Sequence, residues 1–214
     1  MFGNSIKVQR PGPGPVIAFL AVLFLGAVAV AVPEAPFTIE TDQDRGVLVS
    51  HAEVGPNLAE QYAGSGYSYF AVDVTGAELG RHDLLAGYMK ATAQRGFSLF
   101  AWIDASIGAE AAQARLDLYG FSGLFLYGNQ AGNVAKSLRG DSRNAGLSIR
   151  VVHHRRKAPV DASCVAYPAQ EFPGDGVEMP VLIAEQLGET DIDAARAKTK
   201  GGYLVARASL PALD

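Results

Sequence analysis

The sequence predicts a compact (β/α)8 TIM-like barrel preceded by one N-terminal apolar segment. Three observations lead there. Eight short runs rich in β-branched and aromatic residues recur after Gly46. Most are apolar on both faces, as strands buried in a parallel sheet must be. Helical periodicity fills several of the intervals, and the 49% hydrophobic content over 214 residues suffices for one domain with a real core.

The strand runs are Val47–Ser50, Tyr69–Val74, Ser98–Ile103, Gly123–Tyr127, Leu147–Val152, Cys164–Tyr167, Pro180–Ala184 and Gly202–Ala206. The clearest helix is His82–Arg95, where Leu84, Leu85, Tyr88, Met89 and Thr92 share one face before Gly96 stops the run. Ala109–Tyr119 and Asp191–Lys200 follow the same logic. Alternating strands and helices close into a barrel through right-handed crossovers. Runs five to seven start only about 15–17 residues apart, too close for full helices, so loops should cover that side. An open doubly wound sheet is the second fold compatible with this order.

Ahead of the barrel, residues 1–15 are polar and rich in Pro and Gly, the composition of a disordered tail. Val16 to Val32 is an unbroken apolar segment of about 17 residues, covering roughly 25 Å as a helix. Lys7 and Arg10 precede it with no acid, so the net charge of −4 divides into +2 for residues 1–32 and −6 for residues 33–214. The positive-inside rule then predicts a cytoplasmic tail, a transmembrane anchor over 16–32, a linker over 33–45 and a barrel over 46–214 on the periplasmic or extracellular side. A cleaved signal peptide ending near Ala29-Val30-Ala31 is the competing expectation, and it makes the domain secreted.

The charge balance points away from nucleic acid. Cys164 is the single cysteine, so it has no disulfide or thiolate partner within the chain. Phosphate-cradling and dinucleotide fingerprints are absent, and no cofactor or metal is expected. His153-His154 point to opposite faces of a strand and cannot readily share an ion.

In a parallel barrel the chemistry occupies the C-terminal strand ends. Those ends carry His51 and Glu53, Asp73, Trp102 with Asp104, Tyr127 with Asn129, Tyr167, Glu185 and Arg207. Asp73, Asp104 and Glu185 each close an apolar run, where a carboxylate is costly unless bonded, paired or useful. Paired carboxylates across a cleft are what glycoside hydrolysis requires. Asp73, Asp104 and Glu185 are therefore the candidate catalytic residues. His51, Glu53, Trp102, Tyr127, Asn129, Tyr167 and Arg207 are the candidate substrate contacts. Each acid also has a structural reading, Asp73 and Asp104 as caps of the next helix and Glu185 as the ion-pair partner of Arg207.

The order of motifs resembles the polygalactosaminidase-type barrels of glycoside hydrolase family 114. The resemblance rests on Tyr69-Phe70-Ala71-Val72-Asp73, on Gln94 to Trp102, on Gly120 to Tyr127, on Pro180 to Glu185 and on the closing Gly202 to Leu210. It implies an exported barrel acting on polysaccharide. Ser122 and Tyr127 stand where that family carries its fourth-strand aspartates, and only Asp73 and, as Glu for Asp, Glu185 match. The implied function is therefore a membrane-anchored, glycosidase-like barrel that binds or processes polysaccharide with a degenerate catalytic site. An active hydrolase on amino-sugar polymers using a rearranged carboxylate pair, and a non-catalytic envelope scaffold, are the alternatives.

Overall fold

In the computed structural model each short apolar run is a strand, and all the strands run parallel. The structure describes residues 44–78, 82–156, 158, 162, 164–174, 179–184, 190–199 and 201–207. The expected tail, membrane segment and most of the linker, together with Glu185, lie outside the described residues. Among the described residues no helix is long and apolar enough to cross a membrane.

The strands are β1 (Arg45–Ser50), β2 (Tyr69–Asp73), β3 (Ser98–Asp104), β4 (Gly123–Tyr127), β5 (Ser148–Val151), β6 (His153–His154), β7 (Cys164–Pro168), β8 (Met179–Ala184) and β9 (Tyr203–Arg207). Their order is β5-β4-β3-β2-β1-β9-β8-β7-β6. β5 and β6 are the two outer strands of that order, yet only Val152 separates them in the chain. The Val152 N–H donates to the Leu126 carbonyl at 2.8 Å, continuing the β4 ladder, and the next residue pairs with β7. One broken strand thus bonds β4 with its first half and β7 with its second. The sheet curls into a parallel barrel, and the open doubly wound alternative does not hold.

The helices are α1 (Leu58–Gln61), α2 (His82–Gln94), α3 (Gly108–Tyr119), α4 (Ala131–Arg139) and α5 (Thr190–Lys198). Gly120 ends α3 in the left-handed conformation, with φ 63°, and its N–H returns to the Leu116 carbonyl. Between β1 and β2 the described helix is the single turn of α1. After β7 there is one 3-10 turn, Ala169–Glu171, in line with the short spacing there.

Strand alternation sorts the apolar side chains into two layers. Val47, Val49, Phe70 and Val72 face outward and pack with α2, α3 and α4. Leu182, Tyr203 and Val205 do the same beside α5. Inside the barrel the aromatic rings form a continuous column. Tyr69 meets Phe100 at 5.2 Å, Phe100 meets Phe125 at 5.8 Å, Phe125 meets Trp102 at 6.0 Å, and Trp102 meets Tyr127 at 5.2 Å. Room for these rings comes from glycines on neighbouring strands. A Cβ on Gly46 would fall 2.1 Å from the Tyr69 ring, and one on Gly123 would fall 2.5 Å from Phe100.

Candidate functional site

The barrel mouth is built two residues beyond its core. Ala71, Trp102 and Phe125 point inward, so Asp73, Asp104 and Tyr127, each two positions further along the same strand, share that face. Register places Asp73 beside Trp102 and Asp104 beside Tyr127. Both carboxylates act electrostatically on the Tyr127 hydroxyl. Burial is the main cause that pushes this phenol up to about 12, and the charges of Asp73 and Asp104 add to it, while the neighbouring Thr75 and Trp102 side chains oppose it. Tyr127 therefore keeps its proton at neutral pH and can act as a hydrogen-bond donor, not as a phenolate.

Each acid also does local work. Asp73 Oδ1 accepts the Thr75 N–H at 3.0 Å, and Asp104 Oδ1 accepts the Ser106 N–H at 2.8 Å. The structural and functional readings of these two acids thus coexist, since a carboxylate retains further acceptor positions after one bond. The Thr75 hydroxyl accepts the Asp104 N–H at 2.9 Å and ties the β2 loop to the end of β3. Gly128 has φ 91°, and a Cβ there would lie 3.0 Å from Asp104 Oδ1. Only glycine lets the chain turn over the carboxylate at that point.

Arg115 on α3 fixes this arrangement from behind. It is 9% exposed and donates to the carbonyls of Val74 at 2.7 Å, Thr75 at 2.8 Å and Ala111 at 2.9 Å. Buried charge is tolerated where donors are met, and here carbonyl dipoles meet them. Sequence reasoning misses Arg115, Thr75 and Gly128. Arg115 has a visible signal, because it falls on the stripe of Ala112, Leu116 and Tyr119, the buried face of its helix.

The other expected contacts divide. Trp102 is completely buried and Tyr127 is 2% exposed, with their rings stacked, so neither presents a face to solvent. The Trp102 indole N–H is buried beside the Tyr127 hydroxyl without a well-formed hydrogen bond. Asn129 is exposed at the rim, in the turn after Gly128. His51 Nδ1 lies 3.0 Å from the Asp73 carbonyl. Glu53 turns back on its own strand, its Oε2 accepting the Ser50 N–H at 2.7 Å in a capping box. Tyr167 corrects an expectation. Cys164 and Ala166 take the inward positions of β7, so Tyr167 points outward and packs edge-on against Phe172 at 5.5 Å. Arg207 ends β9 in backbone trace, and its side chain, like the whole of Glu185, lies outside the described residues. Among the described residues no group of three or more His, Cys, Asp and Glu could hold a metal ion.

No protein-family model matches the chain, and no curated protein matches it. Solved structures do. An HpcH/HpaI aldolase from Desulfitobacterium hafniense DCB-2 superposes with TM-score 0.52 at 15% identity, over 77% of this chain and 86% of that one. A mutant tryptophan synthase alpha-subunit from the hyperthermophile Pyrococcus furiosus gives TM-score 0.45 at 8% identity, over 78% and 88%. The similarity to the aldolase shows that the chain folds as a parallel β/α barrel of the TIM type.

Proposed function

We propose that this protein is a glycosidase-like barrel that binds polysaccharide at the C-terminal mouth, held at the cell envelope by residues 16–32. The carrying observation is that Asp73 and Asp104 share the inward face at the C-terminal ends of adjacent strands. Two carboxylate acceptors at one rim suit a polyhydroxylated or amino sugar, whose hydroxyl and ammonium groups donate at short spacing. The resemblance in motif order to glycoside hydrolase family 114 supports the same reading. Binding is favoured over hydrolysis because a tyrosine and a serine stand where the resemblance implies acids, and losing a catalytic carboxylate removes transition-state stabilisation.

Titration calorimetry with deacetylated and N-acetylated hexosamine oligosaccharides tests this. Asn preserves each turn-capping acceptor while removing the charge, so Asp73→Asn and Asp104→Asn should fold and each lose about 10-fold or more in affinity. Wild type that binds neither series removes the proposal. Release of reducing ends that disappears in Asp73→Asn would make the protein an active hydrolase. A stoichiometric protein partner recovered without sugar would favour an envelope scaffold. Recovery of the intact chain in the membrane fraction checks the anchor.

A further inference from the structure

Beside the barrel mouth, on its outer shoulder, lies a second concavity of about 330 Å³. It is walled by Val54, Ala77, Leu84, Leu85 and Tyr88, with the His51 ring forming one side. That volume is at the lower end of the range for small-molecule sites. Leu84 and Tyr88 are one turn apart on α2 and share a face, and Leu84 is the exposed large hydrophobic among the described residues, at 65%.

The imidazole orientation is set by the backbone. The Ser50–Glu53 capping box shapes the turn after β1, and His51 Nδ1 sits 3.0 Å from the Asp73 carbonyl oxygen. A carbonyl only accepts, so Nδ1 carries the proton. In the neutral ring Nε2 is then a bare acceptor, and it has no hydrogen-bond partner among the described residues. Among the described residues no Lys or Arg lines the pocket, so an anionic occupant finds no such cation there.

We propose that this pocket binds a small neutral molecule with an apolar ring or short chain and one hydroxyl or N–H donor. The donor bonds His51 Nε2, and the apolar body lies against Leu84 and Tyr88. His51 is shared with the expected contacts of the mouth, but the probes for this pocket carry no sugar, so failure of this proposal is read separately from failure of saccharide binding.

A pair of probes, 4-propylphenol and 4-propylanisole, differs by the donor hydrogen, which the anisole replaces with a methyl group. With histidine-labelled protein, the phenol should shift the His51 Nε2 resonance, one of four histidines in the chain, identified by its loss in His51→Phe. Wild type should bind the phenol about 5–10-fold more tightly than the anisole. His51→Phe should abolish that preference while still binding both, and Leu84→Ser should weaken both. Both side chains lie outside the core, so the variants keep the native circular dichroism. No saturation by either probe at millimolar concentration overturns the proposal. Equal affinity for the two probes in wild type, or an unchanged preference in His51→Phe, overturns it as well.

Discussion

The Tyr127 hydroxyl is the most strongly conditioned group at the mouth, pushed up to about 12 from an ordinary 10.0 by burial and by the charges of Asp73 and Asp104. The consequence for stability has a definite sign. Below pH 10.0 the phenol is protonated in both folded and unfolded chains, and its contribution is fully present. Above it the unfolded chain ionises first, so stability falls as pH rises towards about 12. Tyr69, completely buried and likewise raised, acts in the same direction. Urea midpoints measured across this window should fall steeply for wild type and less steeply for Tyr127→Phe. Equal slopes would show that Tyr127 is not held protonated by the fold. Arg115 illustrates a different solution at the same scale. Its guanidinium meets carbonyls of the β2 loop rather than a carboxylate, and so fixes the backbone that carries Thr75.

At the scale of elements, the barrel depends on large and small residues alternating between adjacent strands. β1 gives up volume at Gly46 for Tyr69 of β2, and β4 gives it up at Gly123 for Phe100 of β3. Gly46→Ala should therefore destabilise by about 1–3 kcal/mol through overpacking. Trimming the opposing ring in Gly46→Ala with Tyr69→Leu should recover part of the loss, since residues in contact couple. Gly132 in α4 is the control, because a Cβ there meets nothing within 4 Å. Gly132→Ala should be neutral or stabilising by about 0.5–1 kcal/mol. Equilibrium unfolding that finds the two substitutions equal would remove the packing argument.

At the scale of the molecule, closure runs through one residue. Val152 joins the half-strand bonded to β4 with the half-strand bonded to β7, and it is 3% exposed. Val152→Ala removes packing alone, whereas Val152→Pro also removes the N–H that reaches the Leu126 carbonyl. The proline variant should be less stable than the alanine variant by about 1–3 kcal/mol. Similar stability of the two would mean that this joint contributes little to holding the ring.

The sequence by itself determined where eight strand runs lie, because each is a short apolar run punctuated by Gly, Pro or polar residues, while only the structure shows the fifth run broken into β5 and β6. It also predicted little helix between β7 and β8, where one 3-10 turn is described, because chain length between strands limits what can cross over. That Asp73 and Asp104 close strands and sit at one end of the barrel was legible for the same reason. What the chain could not reveal was the direction of each side chain at the mouth. Strands apolar on both faces carry no phase, so nothing in Cys164-Val165-Ala166-Tyr167 indicated that Tyr167 faces outward. Nor could it show that Trp102 would be sealed beneath Tyr127, or that Glu53 would turn back to cap its own strand. Those outcomes depend on register and curvature across distant strands, which only the closed sheet fixes.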